Sequence, residues 1–506
     1  MIEAFRDEFK EYLRDESRKT GEAHYISFPK TGDEVREVMN CAAESKANIT
    51  IQGARTGITA GAVPYGGHIL NMSRMNGISD LRYDEKRREY FLTVQPGALL
   101  SDVRKALADT PYFFPPDPTE ASASLGGMVA CNASGACSYY YGPTRRYIEA
   151  LHIILPDGSE IKLRRGKHKA SKRLFMLVTD TGKIIEGELP GYRAPIVKNA
   201  SGYFAADDMD MVDLFIGAEG TLGVITEIEL RLLKKPEAIW GVMAFFPSED
   251  SAIHFVRALR GDFEEANESR PAAIEYFNHH ALELLRKMKG ENPAFGEIPN
   301  MPPEYHTAIY FEYHGDDEDS VSDMVMGAVE HLVSCGGSDE TSWIAMSPHE
   351  LERLKYFRHA VPEAVNLEID HRRKTTPGIV KLSTDMAVPD VELEAAISMY
   401  NRSLNETGLD CVMFGHIGDN HIHVNILPGS MEDYNKGKEL YYKWAGEVIR
   451  KGGTISAEHG IGKLKTELLA EMYGENGIEQ MQSVKRLFDP DNILNRGNIF
   501  KISREI

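Results

Sequence analysis

Ser122-Ala123-Ser124-Leu125-Gly126-Gly127-Met128-Val129-Ala130-Cys131-Asn132-Ala133-Ser134-Gly135 is a run almost without bulk. Small residues let backbone N–H groups approach an anionic ligand closely, and serine and asparagine side chains add hydrogen bonds. A second run of the same character, Gly53-Ala54-Arg55-Thr56-Gly57-Ile58-Thr59-Ala60-Gly61, lies upstream. Neither has the spacing of a dinucleotide fingerprint or a Walker loop, and singly each is more often a structural turn. Around them, apolar alternation marks strands at 48–52, 68–72, 90–95 and 150–155, and helical periodicity marks 33–45 and 100–108. The class is α+β.

A chain of 506 residues is too long for one simple core, and 42% hydrophobic content can fill two or three. The formal charge of −20 argues against nucleic acid, whose backbone needs a basic surface, and against an anionic membrane surface. Cys41, Cys131, Cys137, Cys335 and Cys411 are scattered and odd in number, so a reducing compartment is expected rather than a disulfide framework. They form no iron–sulfur pattern. Residues 1–20 mix acids and bases and lack a signal-peptide core, which makes the cytoplasm the expected location. No apolar run approaches the length of a membrane span.

Chemistry is densest near the C-terminus, in Gly415-His416-Ile417-Gly418-Asp419-Asn420-His421-Ile422-His423 and Ala457-Glu458-His459-Gly460-Ile461-Gly462. Alternation on either side of the Gly-Asp-Asn turn predicts a β-hairpin. If His416 lies near His421 across it, His423 is its diagonal neighbour on the same face. With Glu458, His416 and His423 would form a three-ligand open site suited to Zn, Mn or Fe(II). His459, next to a ligand, is the expected general base.

The order of segments extends this. After the Gly53 loop come Val94-Gln95-Pro96-Gly97, Pro115-Pro116-Asp117-Pro118, Leu125-Gly126-Gly127, Tyr141-Gly142, Ile216-Gly217-Ala218-Glu219-Gly220-Thr221-Leu222-Gly223-Val224-Ile225-Thr226 and, near the end, Phe488-Asp489-Pro490-Asp491-Asn492-Ile493-Leu494-Asn495-Arg496-Gly497. This series resembles the FAD-binding proteins of the vanillyl-alcohol oxidase and p-cresol methylhydroxylase superfamily. Within it, the histidine hairpin and the Glu-His-Gly-Ile-Gly loop are similar to those of D-2-hydroxyacid dehydrogenases, including D-lactate dehydrogenases and the flavin subunit of glycolate oxidase.

The resemblance implies a two-part FAD domain over residues 1–235, a substrate cap with an antiparallel sheet over 236–470, and a C-terminal return over 471–506. It implies that FAD is held by Gly53, Ala54, Arg55, Thr56 and Gly57, by Pro116 and Asp117, by Ser124, Gly126, Gly127, Asn132, Ser134 and Gly135, by Tyr141, and by Glu219, Gly220, Gly223, Ile225 and Asn495. Thr56 falls where flavin-tethering members carry histidine, so the FAD is expected to be noncovalent. Arg55 replaces a common glycine, and its guanidinium could meet pyrophosphate or point to solvent. The hairpin usually reads Gly-Asp-Gly-Asn where this chain has Gly418-Asp419-Asn420-His421, which leaves His421 as a ligand, a substrate contact or a packing residue.

Ser347-Pro348-His349-Glu350 reads as a capped helix start. Arg358 then falls on the apolar stripe of Leu351, Leu354 and Val361, where a guanidinium needs an anion. An internal salt bridge would serve; the resemblance points instead to a substrate carboxylate. Lys381 precedes a family-like Asp-Met-Ala-Val-Pro segment in a shifted register, as a further catalytic candidate. The expected activity is FAD- and metal-dependent oxidation of a small D-2-hydroxy acid such as D-lactate or glycolate. Two alternatives stand beside it: a flavin-using transferase of the alkylglycerone-phosphate synthase type, and an electron-transfer subunit with a structural metal. Lacking its own route onward, the flavin is expected to pass electrons to an electron-transferring flavoprotein, an iron–sulfur subunit or quinone. A homodimer is admitted. The basic run at 162–173 is expected to be a solvated loop.

Overall fold

The computed structural model describes residues 2–262 and 270–501, and its strands form three main sheets. The first has the order Ile2–Ala4, Tyr25–Ser27, His68–Asn71, Ile49–Gln52, with His68–Asn71 parallel to both neighbours. Helix Gly32–Ser45 covers it. Thr31 caps that helix by accepting from Glu34 N, and Val35, Val38, Met39 and Ala42 bury one face at helical spacing.

The second sheet is antiparallel, ordered Arg82–Asp84, Glu89–Val94, Val224–Lys234, Ile148–Ile154, Glu160–Arg164. Its central strand, Val224–Lys234, brings the Glu219 loop to the same end as the helix Leu125–Cys131. The basic run is only in part the solvated loop expected: Lys162, Lys167, Lys169 and Lys172 are exposed, but Arg164, at the end of the strand Glu160–Arg164, pairs with the buried Glu229 and Arg165 with the buried Asp213 at 2.6 Å, since buried carboxylates need cations.

The chain leaves this sheet at Lys234 and enters a third at Ala238–Phe246. The third is wholly antiparallel, in the order Trp343–Ala345, Ala238–Phe246, Thr307–Gly315, Ala273–Phe277, Cys411–His416, His421–Ile426, Leu382–Ser383, with Met386–Ala387 also on His421–Ile426. This is the cap. Helix Pro348–Arg373 packs on it with a complete Ser347–Glu350 capping box, and buries Leu351, Leu354, Phe357 and Val361.

The C-terminal segment returns to the first sheet. Leu494 bridges Ile49 in parallel, Asn495 Oδ1 accepts from Ile51 N at 2.7 Å, and Asn495 Nδ2 donates to the Glu219 carbonyl at 2.6 Å. One amide side chain thus ties three distant segments together. Among the described residues, no helix is long and apolar enough to cross a membrane.

Candidate active site

In the hairpin, His416 lies opposite His421 and Phe414 opposite His423. A 3-10 turn, Ile417–Asp419, joins the strands, and Asn420 follows at φ 52°, a left-handed conformation asparagine tolerates. Glycine is required at 418, since a Cβ there would lie 2.8 Å from the Tyr139 ring. The three imidazoles therefore project together.

Glu458 meets them from a loop strung on one carboxylate. Asp385 accepts from Glu458 N at 3.2 Å, His459 N at 3.1 Å, Ser456 Oγ at 2.7 Å and Lys465 Nζ at 2.6 Å. Buried Glu219 holds the same loop further along, accepting from Ile461 N at 2.6 Å and Gly462 N at 2.7 Å; burial raises its carboxyl to about 7. Four groups converge: ligating atoms of His416, His421, His423 and Glu458 all lie within 4.8 Å of one another.

Each ring has one nitrogen occupied from outside. His416 Nδ1 lies 2.6 Å from Glu275, His423 Nδ1 2.9 Å from the Thr384 carbonyl, and His421 Nε2 3.0 Å from Asp385. A carbonyl only accepts, so His423 carries its proton on Nδ1 and leaves Nε2 bare toward Glu458, 3.5 Å away. Outer partners that fix ring tautomers are the usual second layer of a metal centre. Burial works against charge on Glu458, but Lys198 and His416 outweigh it and hold the carboxyl well below its ordinary range. Burial likewise pulls His416 down, yet Glu275 and Glu458 lift it to about 9. A divalent cation fits this donor set.

His459 stands beside it. Its Nδ1 is 3.2 Å from Asp385, its Nε2 is 3.5 Å from Glu458, and its ring stacks against His423 at 5.6 Å between centroids. With Asp385 on Nδ1, Nε2 faces Glu458. His416, Glu458 and His459 wall one end of a cavity of about 360 Å³ that continues past Ser134 and Gly135 to the Gly53 loop.

Most of the expected flavin residues line that cavity: Gly53 to Gly57, Ser124, Gly126, Gly127, Ser134, Gly135, Glu219, Gly220, Gly223, Ile225 and Asn495. The lining is chiefly backbone and small side chains, as a close-fitting cofactor needs. Pro116, Asp117, Asn132 and Tyr141 stand outside it. Asp117 pairs with Arg104, Asn132 Oδ1 accepts from Arg145 N at 2.9 Å, and the Tyr141 hydroxyl meets His314 Nδ1 at 2.7 Å. Arg55 is among the lining residues, with its guanidinium 4.3 Å from the Tyr12 ring centroid and donating to the Glu11 carbonyl.

Arg358 is buried next to the cluster, with Nη1 3.9 Å from Glu275 and Nη2 3.1 Å from His359 Nε2. Glu275 joins it to His416. The Arg358 Nε has no hydrogen-bond partner among the described residues. Lys381 is not drawn into the group: burial and Arg18 lower it to about 8, and Arg18 itself pairs with Asp370.

Three participants were not anticipated. Lys198, with its side chain buried, sits 2.8 Å from Glu458. Glu275 comes from the strand Ala273–Phe277, where it reads as one acid in an apolar alternation. Asp385 carried the clearest signal, an acid within the family-like segment before Met-Ala-Val-Pro. Nothing near Lys198 in the sequence marks it.

Residues 235–499 match the family described as FAD linked oxidases, C-terminal domain. The chain belongs to the FAD linked oxidases. Residues 23–164 match the FAD binding domain, so this FAD linked oxidase is an oxidoreductase that uses FAD, with the two-part architecture of the p-cresol methylhydroxylase type. It is 28% identical to a D-lactate dehydrogenase of Anaerostipes hadrus, over 92% of this chain and 87% of that one. It is also 28% identical to a D-2-hydroxyglutarate dehydrogenase of Stutzerimonas stutzeri, over 94% and 90%. A solved alkyldihydroxyacetonephosphate synthase, 16% identical, superposes at a TM-score of 0.62 over 94% of this chain and 76% of its own, a likeness of fold alone.

Proposed function

We propose that this FAD linked oxidase converts a D-2-hydroxy acid, of the size of D-lactate or glycolate, to the 2-oxo acid. The observation that carries it is the meeting of His459 and the histidine–Glu458 cluster at one end of the flavin cavity. FAD, held noncovalently, would supply the acceptor for the α-hydrogen and its electron pair. A divalent metal (Zn, Mn or Fe) on His416, His423 and Glu458 would supply Lewis acidity toward the substrate hydroxyl.

The remaining work falls to the protein. His459 Nε2 takes the hydroxyl proton, and the ionised Asp385 against Nδ1 stabilises the imidazolium that results. Burial opposes charge on Asp385, but His459 and Lys465 hold its carboxyl well below the usual range, so it stays an anion. Arg358 pairs with the substrate carboxylate. No step is assigned to Lys381. Residues 1–235 and 471–506 would carry the flavin and 236–470 the acid-binding cap. The five free cysteines suit a reducing, cytoplasmic setting.

The relatives named as dehydrogenases of 2-hydroxy acids support this over a transferase, and the base beside the metal cluster supports it over a structural metal. The test is anaerobic mixing of the flavoprotein with D-lactate, L-lactate, glycolate and D-2-hydroxyglutarate. Loss of the yellow absorbance with a D-2-hydroxy acid is expected; a flavin that none of them bleaches ends the proposal. Electrons would leave to a partner protein with a basic docking face, to suit the charge of −20. Peroxide formation in air as fast as dye-coupled turnover would replace that partner with oxygen.

Arg358→Met is expected to raise KM for the acid roughly 10- to 100-fold, the value of a charge-assisted hydrogen bond of about 1.5–3 kcal/mol, with flavin content unchanged. An unchanged KM would assign Arg358 to Glu275 as an internal salt bridge.

A further inference from the structure

The hairpin carries one imidazole more than a three-ligand site requires. His421 is fully buried, directly across the ladder from His416, with its ring centroid 4.4 Å from that of His423. Nε2 is taken by Asp385, but Nδ1 has no hydrogen-bond partner among the described residues. Burying one polar atom that way costs about 1–3 kcal/mol, so Nδ1 belongs to an interaction that the described residues do not complete.

The surroundings say which interaction. Nε2 faces Asp385 Oδ1 at 3.0 Å, and an ionised carboxylate can only accept, so the ring carries its hydrogen on Nε2. Nδ1 is left with a bare lone pair, 3.8 Å from Glu458 Oε2 and inside the 4.8 Å group formed with His416 and His423. The ring packs against two imidazoles, with Asp385 on the Nε2 side and Glu458 on the Nδ1 side. A packing histidine could be any apolar residue of that size; this one is aimed at the point where the other donors meet.

We propose that His421 ligates the metal through Nδ1, making the site three imidazoles and one carboxylate. The proposal rests on the metal-dependent reading above and sharpens it. A third imidazole in the donor set favours Zn, Co and Fe(II) over Mn. Asp385 is then a shared partner, steering a ligand through His421 and the proposed base through His459.

The experiment uses the FAD-loaded protein, stripped with a chelator and titrated separately with Co²⁺ and Mn²⁺ in the absence of substrate. For His421→Asn the Co²⁺ dissociation constant is expected to rise at least about 10- to 100-fold, with a smaller change for Mn²⁺, so that the preference for Co²⁺ falls. Co²⁺ affinity within twofold of the parent overturns the proposal. X-ray absorption on the Co²⁺-loaded parent protein, which depends on no variant folding, should count three imidazoles; two would likewise overturn it. If the parent binds neither ion, the three-ligand reading of His416, His423 and Glu458 falls as well, which separates the two failures.

Discussion

Replacing His459 with asparagine is expected to slow bleaching of the flavin by a D-2-hydroxy acid by about 100- to 10,000-fold, the range a positioned general base supplies. The geometry makes the substitution clean. Backbone N of His459 donates to Asp385 at 3.1 Å, so the loop keeps its anchor, and an asparagine amide can still donate to the same carboxylate. The flavin loops lie in other segments, and the Glu458 carboxylate keeps its contact with Ser134 at 3.3 Å. Flavin content and bound metal should therefore match the parent while the reductive half-reaction, followed by stopped flow, does not. Reduction at near the parent rate would remove His459 from the chemistry and leave Asp385 with only a structural role. Replacing Asp385 itself would be a poorer test, because it would leave Lys465 buried without its partner and unsettle the loop as a whole.

What the sequence disclosed follows from how local each signal is. The hairpin register was readable because strand periodicity and a short turn fix it within a dozen positions, and His416 does face His421. The capped start of Pro348–Arg373 was readable for the same reason: Ser347 and Glu350 satisfy each other within one turn. Lys198 and Glu275 were not readable. Each reaches the site from a segment more than a hundred residues away in the chain, and only the packing of cap against flavin domain gives them partners. Arg55 was a position the sequence left open between pyrophosphate and solvent, because the aromatic face and carbonyl that the 3-10 helix Asp7–Leu13 offers its guanidinium come from a segment some forty residues away. The shifted register of Lys381 already foretold trouble, and the lysine ends near Arg18 rather than among the histidines.

Chelation of the metal is expected to cut turnover by roughly a thousandfold or more, equivalent to about 4 kcal/mol of charge stabilisation at the reacting oxygen, without releasing FAD. The second half of that expectation comes from how the cluster balances its own charge. Lys198 lies 2.8 Å from Glu458 and Glu275 lies 2.6 Å from His416, so each charged donor retains an opposite charge inside the protein. The stripped site thus avoids the 3–5 kcal/mol penalty of an uncompensated buried ion, and the fold around it should hold. The flavin cavity is closed by other bonds, those from Asn495 to Ile51 and the Glu219 carbonyl and from the Glu219 side chain to Ile461 and Gly462, none of which involves the donors. Stripped protein should stay yellow and folded, and Zn²⁺, Co²⁺, Mn²⁺ or Fe²⁺ should restore turnover. Full activity after stripping, or active protein that elemental analysis finds free of divalent metal, would mean that the histidines serve the substrate directly and that Lys198, not a metal, is the charge that works beside Glu458.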